Sequence, residues 1–290
     1  MSLTTLQDFI EWGTNAFEEA GLYYGHGTDN AWDEAVYLAL YSLHLPYDSP
    51  REIGEKILSP EEKEKLLNLY NLRIVEKKPA PYLTHEANFG GLAFYVDERV
   101  LIPRSPMAEV ILKEFSPWIE GSKIKNILDL CTGSACIAVL CAKVFPDAKI
   151  TATDISQEAL DVAKINIEKH NLSEQVSLIK SNLFEDIPPQ KFDVIISNPP
   201  YVDKEDMDSL PSEYLHEPDL ALKAGKDGLD IIKIILEKSK NYLSDQGILI
   251  VEVGNSAAEL MKQYPDLPFI WLEFEHGEGE VFLLEKKHLP

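Results

Sequence analysis

The stretch that decides the fold is Ile127-Leu128-Asp129-Leu130-Cys131-Thr132-Gly133-Ser134-Ala135. Its apolar first half predicts a buried strand, and its second half predicts a sharp turn into a helix. Open parallel sheets bind nucleotide-like ligands at such turns, at the carboxyl ends of their strands. Gly133 permits close approach of a ligand to the backbone, and the helix that follows offers free N–H groups. The stretch therefore predicts an α/β domain with a ligand site beside Gly133.

From about residue 105 onward, strand patterns alternate with helix patterns, which predicts a mostly parallel sheet. The predicted strands are Lys125–Cys131, Lys149–Thr153, Val176–Lys180, Phe192–Ser197 and Gly247–Val253, and the predicted helices are Ser134–Val144, Ser156–His170 and Leu229–Leu243. The end of the chain predicts a hairpin of Phe269–Phe274 and Val281–Leu284 around His276-Gly277-Glu278-Gly279. This hairpin would add an antiparallel strand to the parallel ones.

Residues 1–80 show helical periodicity and predict a separate helical domain. Helices are expected over Thr5–Ala20, over Asp33–Leu45 and after Ser59-Pro60, where Ser caps the helix and Pro occupies its first turn. Residues 81–104 are expected to form a linker with a β-hairpin, and residues 105–290 the α/β domain. The predicted hairpin strands are Phe89–Val96 and Val100–Ile102, joined by Asp97-Glu98-Arg99.

The 290-residue chain is strongly acidic, with 27 Lys and Arg against 49 Asp and Glu and a formal net charge of −22. Such a surface repels phosphate backbones, so we expect no direct nucleic-acid binding. It favours a basic protein partner, although solubility alone also explains an acidic surface. No apolar run has the length of a membrane span, and no basic segment precedes an apolar one at the N-terminus. We therefore expect a cytoplasmic protein that does not enter membranes.

The three cysteines, Cys131, Cys136 and Cys141, are spaced five residues apart. This spacing fits neither a Cys-x-x-Cys metal site nor a disulfide framework. It favours small buried side chains in a reducing compartment.

Asp154 ends the second predicted strand, 21 residues after Gly133 (154 − 133). A carboxylate at this place can accept both ribose hydroxyls of an adenosine. Taken alone, Gly133 is explained by the turn itself and Asp154 by a favourable charge at a helix N-terminus. A Gly-x-Gly-x-x-Gly fingerprint and the Gly-Lys-Ser/Thr ending of a P-loop are both missing from the sequence. Together the two residues favour a nucleoside site, with Asn182-Leu183 beside the expected adenine.

Asn198-Pro199-Pro200-Tyr201 follows the fourth predicted strand of the α/β domain. The two prolines end ladder pairing, and the residue before a proline adopts extended backbone. On this interpretation the Asn198 amide, the Pro199 carbonyl and the Tyr201 ring form a small polar pocket. The pocket suits a planar group with two N–H donors, such as a carboxamide or an exocyclic amine. A plain proline-rich turn is the alternative.

These stretches resemble the class I S-adenosylmethionine-dependent methyltransferases that modify protein glutamine side chains. More narrowly, they resemble the branch that methylates large-subunit ribosomal protein three. The sibling branch that methylates release factors usually has Pro-Arg-Pro-Asp/Glu where this chain has Pro103-Arg104-Ser105-Pro106, so the ribosomal branch is the better match. The resemblance also covers residues 28–35, 94–106, 217–222, 228–230 and 251–256.

The resemblance implies a Rossmann-like fold whose seven-stranded sheet ends in an antiparallel hairpin. It implies S-adenosyl-L-methionine as cofactor with S-adenosyl-L-homocysteine as product, no metal, and a basic ribosomal protein as substrate, free or in an assembly intermediate. Asn198, Pro199 and Tyr201 are the implied catalytic residues, and Pro200 and Arg104 the implied substrate-binding residues. The implied cofactor-binding residues are Asp129, Cys131, Thr132, Gly133, Ala135, Asp154, Ile155, Asn182, Leu183 and Asn198.

Two residues depart from the family pattern. Ala135 stands where the family usually has Gly, and Asn182 stands where it commonly has Asp. Neither position supplies chemistry, so we expect the departures to act on cofactor affinity.

Three other functions stay open from the sequence. They are a release-factor glutamine methyltransferase, a methyltransferase of adenine amino groups in nucleic acid, and a non-catalytic ribosome-assembly factor. The acidic composition disfavours the second, which must hold a phosphate backbone. The intact turn at Asn198 disfavours the third.

Overall fold

The structure is a computed structural model that describes residues 3–275 and 279–290. Packing groups these residues into two units. One comprises the chain up to Ala87 together with Pro211–His216, and the other comprises Asn88–Leu210 and Glu217–Pro290. The expected division into domains at residues 80 and 104 stays a prediction. None of the helices in the two described ranges combines the length and the apolar character that a bilayer crossing requires.

The first unit is built from helices. Ser59, the predicted cap, forms a reciprocal capping box with Glu62, and Thr5, for which no cap was predicted, forms one with Asp8. The start expected at Ser59-Pro60 is thereby confirmed. The helices pack around a core that includes the buried Tyr70, whose hydroxyl donates to the Ala35 carbonyl at 2.8 Å. The helices are α1 (Leu6–Glu19), α2 (Ala31–Ser42), α3 (Pro60–Glu76) and α4 (Ala80–Thr84).

A buried charge cluster holds this unit together. Arg73 is 1% exposed, and its Nε donates to Glu34 Oε1 at 2.6 Å and its Nη1 to Glu213 Oε1 at 3.2 Å. Its Nη2 donates to the Tyr23 carbonyl at 2.8 Å, and the Tyr23 N–H donates to Glu213 at 2.9 Å. A buried carboxylate requires such compensation. The segment Pro211–His216 therefore packs with helices that are far from it in sequence.

The predicted hairpin of the linker is at the wrong place. Gly90 and Gly91 form its turn with φ of +57° and +79°, a backbone conformation that favours glycine and suits a two-residue hairpin. Asp97, expected in that turn, instead accepts from the backbone N–H and the guanidinium of Arg99. The strands are β1 (Ala87–Phe89) and β2 (Leu92–Phe94), not Phe89–Val96 and Val100–Ile102.

The second unit follows the predicted alternation of strands and helices. The predicted bounds of two strands, Val176–Lys180 and Phe192–Ser197, are confirmed. Short helices that the sequence analysis did not identify lie between strands. The last parallel strand begins at Leu243, earlier than the predicted start at Gly247. The remaining elements are α5 (Met107–Leu112), β3 (Asn126–Leu130), α6 (Cys136–Val144), β4 (Lys149–Asp154), α7 (Gln157–Lys169), β5 (Val176–Lys180), β6 (Phe192–Ser197), α8 (Lys204–Ser209), α9 (Asp230–Tyr242), β7 (Leu243–Glu252), α10 (Ala257–Gln263), β8 (Ile270–Trp271) and β9 (Val281–Glu285).

Seven strands form one mixed sheet in the order β5-β4-β3-β6-β7-β9-β8. The first five are parallel, and β9 is antiparallel to both β7 and β8. The predicted terminal hairpin is therefore confirmed, although most of its turn, residues 276–278, lies outside the described residues. An apolar cluster covers each face of the sheet. The direction of winding reverses between β3 and β6, which is where such sheets open a ligand crevice.

We expect the change Arg73→Met to lower the free energy of unfolding by about 3–5 kcal/mol, because it leaves two buried carboxylates without their cation. Urea denaturation followed by circular dichroism measures the loss. Lys65→Met on the same helix is the control, since Lys65 pairs with Glu61 on an exposed surface. That change should cost less than about 1 kcal/mol. Equal losses in the two variants would contradict the importance of the buried cluster.

Candidate functional site

The pairing of β3 with β6 sets the position of the site. The two strands run parallel, and Leu130 stands opposite Ser197 at their carboxyl ends. The buried Ser197 hydroxyl donates to the Leu130 carbonyl at 2.8 Å and ties the two ends together. The loop that starts at Cys131 and the turn that starts at Asn198 therefore leave the sheet side by side.

The loop after β3 has positive φ at every second residue. The φ values are +59° at Cys131, +53° at Gly133 and +63° at Ala135. Three N–H groups of the loop donate within the protein: Thr132 to the Thr153 carbonyl at 2.9 Å, Gly133 to Asp154 Oδ2 at 2.9 Å and Ala135 to the Thr132 carbonyl at 2.8 Å. A Cβ built on Gly133 would meet no atom within 4 Å, so space lies open beside its backbone. Ala135 has its methyl group in the apolar core, away from that space.

Asp129 supports the loop from inside the fold. It is fully buried, and its Oδ2 accepts from the Thr132 hydroxyl at 2.5 Å and from the Ala138 N–H at 3.2 Å. Its Oδ1 has no hydrogen-bond partner among the described atoms. Burial raises the pKa of Asp129 to about 7, against the lowering effect of these two hydrogen bonds. The side chain is therefore a structural support of the loop that is also close to protonation at neutral pH.

Asp154 ends β4 as the sequence predicts. Its carboxylate accepts hydrogen bonds from the backbone of two different loops. Oδ2 accepts from the Gly133 N–H and Oδ1 from the Ser156 N–H, both at 2.9 Å. Burial raises the pKa of this carboxyl from its ordinary value. A carboxylate offers about four acceptor sites, so roughly two are left for a ligand. Asp154 both positions Gly133 and presents acceptor capacity to the space beside it.

One cleft joins this loop to the turn at Asn198. Its empty volume, including the part that is open to solvent, is about 1160 Å³. Thr153 lines it too, and the buried Thr153 hydroxyl has no partner among the described atoms. The predicted site residues that line the cleft are Arg104, Cys131, Thr132, Gly133, Asp154, Ile155, Asn182, Leu183, Asn198 and Pro200.

Four predicted site residues, all within the described chain, do not line the cleft: Asp129, Ala135, Pro199 and Tyr201. Asp129 and Ala135 shape the loop from inside the fold. Pro199 is buried, and Tyr201 is half-buried with its hydroxyl bonded to Glu252 at 2.8 Å. The roles predicted for these four residues, and for the residues that line the cleft, stay predictions.

Two further segments form part of the wall of the cleft, and the sequence analysis did not identify their residues as site residues. They are residues 99–103 and 218–223, several of which line the cleft. The second segment returns to the site because it pairs with Val202, just after the turn at Asn198. The Val202 N–H donates to the Leu222 carbonyl at 2.9 Å, and the Ala224 N–H donates to the Val202 carbonyl at 3.0 Å. The signal available in the sequence was the family resemblance of residues 217–222, to which no role was assigned.

An ion pair connects these two wall segments. Arg104 binds Glu217 through two bonds, Nη1 to Oε1 at 2.6 Å and Nη2 to Oε2 at 2.8 Å. The Ile102 N–H donates to the same carboxylate at 3.0 Å. The Glu217 side chain is fully buried, and a bidentate pair of this kind fixes orientation as well as charge. Arg104 therefore lies at the cleft with its guanidinium engaged by the protein itself.

Comparison with known proteins gives two kinds of similarity. The sequence model of the methyltransferase small domain family matches residues 108–225. The chain is 48% identical over 285 residues to the ribosomal protein uL3 glutamine methyltransferase of Francisella tularensis subsp. tularensis, which covers 98% of this chain and 90% of that protein. It is 49% identical over 288 residues to the protein of the same name from Neisseria gonorrhoeae, covering 99% and 96%.

Among solved structures, the hMettl16 catalytic domain in complex with MAT2A 3′UTR hairpin 6 superposes with a TM-score of 0.53. The match covers 80% of this chain and 84% of that one at 20% sequence identity. At this identity the similarity concerns the fold alone. It agrees with the mixed seven-stranded sheet of a class I methyltransferase.

Asp129 should make stability depend on pH. Its pKa is about 7 in the fold and 3.8 ordinarily, so between these values the folded chain holds a proton that the unfolded chain releases. The free energy of unfolding therefore falls as pH rises through this window, by up to about 1.4 kcal/mol per pH unit. In Asp129→Asn this pH dependence is lost. Between pH 5 and 7 the free energy of unfolding of the variant should therefore rise relative to that of the parent.

Urea denaturation at pH 5, 6, 7 and 8 measures the difference. Asp147→Asn, on an exposed turn, controls for the loss of one carboxylate. A difference between the parent and Asp129→Asn that stays constant over this range would show that Asp129 is ionised throughout.

Proposed function

This chain belongs to the ribosomal protein uL3 glutamine methyltransferase family, and on that premise we propose that it methylates the side-chain amide nitrogen of a glutamine in ribosomal protein uL3. The methyl donor in this proposal is S-adenosyl-L-methionine. The observation that carries the proposal is the shared cleft, which Gly133 and Asp154 line together with Asn198. A nucleoside site and an amide-binding turn thus open into one space.

The residues of the cleft fit such a donor. Asp154 has acceptor capacity for a ribose diol, and the space beside Gly133 admits close approach of a ligand to the backbone. The Thr153 hydroxyl, which has no partner in the described part of the chain, is a further polar group for a ligand. Ile155 and Leu183 supply apolar surface near the proposed adenine position. Asn182, at the same turn, offers an amide where a carboxylate is common, so it contributes hydrogen bonding without charge.

The chemical task of the protein is to make a carboxamide nitrogen reactive. Its lone pair is delocalised into the carbonyl, and it becomes a better nucleophile as the nitrogen pyramidalises. In our proposal the Asn198 side-chain oxygen and the Pro199 carbonyl accept the two N–H bonds of the substrate amide. Tyr201 packs against the amide plane. These contacts orient the nitrogen and stabilise the positive charge that develops on it.

The bound donor supplies a methyl group that the sulfonium charge makes electrophilic. The prolines of the turn keep the acceptors in place, because each fixes its own φ and restricts the residue before it. Pro200 lines the cleft beside Asn198, and we assign it a contact with the substrate. We assign a contact with the substrate to Arg104 as well, because its ion pair with Glu217 holds the wall of the cleft.

The charge of the chain supports a basic protein substrate. The excess of 49 acidic over 27 basic residues favours association with a basic ribosomal protein and opposes binding of nucleic acid. In this proposal the enzyme acts in the cytoplasm, on uL3 free or within an assembly intermediate.

We expect Asn198→Ala to abolish methyl transfer while the affinity for S-adenosylhomocysteine stays within about twofold, since the side-chain acceptor that is lost serves the substrate amide in our proposal. Mass spectrometry of ribosomal proteins from a strain that lacks this gene should show uL3 short of one methyl group. Wild-type enzyme should restore the methyl group, and Asn198→Ala should not. Calorimetry with S-adenosylhomocysteine gives the affinity. Restoration by the variant would contradict the mechanism, and loss of methyl from a release factor instead of uL3 would overturn the substrate.

Asp154→Ala should show the opposite pattern. Charge-assisted bonds to the ribose are worth roughly 1–3 kcal/mol, so the affinity for S-adenosylhomocysteine should fall by about 5- to 150-fold. At saturating donor, much of the turnover should return. Asn198→Ala is the matched control within the same cleft. Unchanged affinity in Asp154→Ala would mean that the ribose does not lie at this carboxylate.

A further inference from the structure

The hydroxyl of Tyr201 points into the protein. It donates to Glu252 Oε1 at 2.8 Å, at the end of β7. The ring is half-buried and packs against the apolar cluster on one face of the sheet. A phenolic hydrogen bond therefore fastens the end of the Asn198–Tyr201 turn to the neighbouring strand.

Glu252 is built into the fold for this contact. It is 4% exposed, and burial raises the pKa of its carboxyl from its ordinary value. Its second oxygen, Oε2, accepts from the Ser105 hydroxyl at 2.5 Å. The carboxylate is absent from the lining of the cleft, so contact with a ligand there does not account for it. Burial of a carboxylate is costly, and here its two oxygens are satisfied by the hydroxyls of Tyr201 and Ser105.

Ser105 also has a second contact. Its Oγ accepts from the Met107 N–H at 3.2 Å while its hydroxyl donates to Glu252 Oε2. Arg104, the preceding residue, binds the buried Glu217 at the wall of the cleft. The short segment that carries Arg104 and Ser105 thus holds two parts of the cleft at once.

The remaining atoms of Tyr201 are enclosed as well. A Cβ on Gly254, where φ is +49°, would overlap the ring, and a Cβ on Gly228, where φ is +71°, would overlap the Tyr201 carbonyl. The Ser256 hydroxyl donates to that carbonyl at 3.2 Å. Ring, hydroxyl and carbonyl each have a contact that fixes them, which is the condition for a preorganised site.

We propose that Glu252 and Ser105 are positioning residues for methyl transfer, which hold the Tyr201 hydroxyl and so fix the orientation of the turn that presents Asn198. This inference rests on the proposed function. The two prolines between Asn198 and Tyr201 make the turn stiff, so an anchor at one end constrains the other. Glu252 is absent from the lining of the cleft, whereas Ser105 is part of that lining and acts in this proposal through the hydroxyl that it turns toward Glu252.

The test is a double-mutant cycle between Tyr201→Phe and Ser105→Ala, two residues that are linked through Glu252. Methylation of purified uL3 gives kcat and the KM for S-adenosylmethionine, and calorimetry gives the affinity for S-adenosylhomocysteine. Each single change should lower kcat about tenfold, as expected for one hydrogen bond to a charged group, with KM and affinity unchanged. The double variant should also lose about tenfold, because either change breaks the same chain of bonds.

Two conservative changes should rescue activity. Ser105→Thr keeps the hydroxyl, and Glu252→Gln keeps an acceptor for Tyr201, so both should retain kcat within about threefold. Ser239→Ala is the matched control, since Ser239 is a fully buried serine whose hydroxyl donates within its own helix, to the Ile235 carbonyl. It should leave kcat unchanged.

A loss of about a hundredfold in the double variant would mean independent structural effects and would overturn the positioning role. A loss in donor affinity in place of kcat would overturn it as well, as would an unchanged kcat in Ser105→Ala. An inactive wild-type enzyme would instead overturn the proposed function, and the inference with it.

Discussion

The site depends on the pairing of β3 with β6. Leu130 and Ser197 stand opposite each other at the carboxyl ends of these strands, and the Ser197 hydroxyl bonds to the Leu130 carbonyl. Because the strands are parallel, the loop that follows one and the turn that follows the other emerge on the same edge of the sheet. The loop at Gly133 and the turn at Asn198, which lie 65 residues apart in the chain (198 − 133), thereby share one cleft.

Several carboxylates are buried near this edge of the sheet, and each accepts hydrogen bonds that offset the cost of its burial. Asp129 supports the loop from within, Asp154 binds the backbone of Gly133, and Glu217 and Glu252 hold the wall and the turn. Burial raises the pKa of Asp129, Asp154 and Glu252. These charges weaken the fold unless their hydrogen bonds are made. The hydrogen bonds that compensate for the burial of these carboxylates also fix the positions of the loop, the wall of the cleft and the turn.

Local pattern explains why parts of the fold could be predicted. The apolar, β-branched run Phe192–Ser197 is bounded by Asn-Pro-Pro, and both of its ends were predicted correctly. The hairpin near Gly90 was predicted at the wrong place. Apolar residues lie on both sides of Gly90 and Gly91, so the two glycines were taken as part of one continuous strand. The start of β7 was missed because its first residues include exposed polar side chains, and among them Leu243 pairs with Phe192 of β6 before the paired run resumes at Ile248. Segment 211–216 shows no periodicity, and its packing depends on the buried Arg73.

The sequence by itself determined the α/β class, the loop at Gly133, the carboxylate Asp154 and the turn at Asn198, because each depends on residues that are close together in the chain. It also carried the family resemblance that gave these motifs their chemistry. The tertiary structure alone decided which residues support them. Arg104 meets Glu217 across 113 positions, and Ser105 meets Glu252 across 147. Such pairs form only when the sheet order brings distant segments together, so no local pattern could predict them.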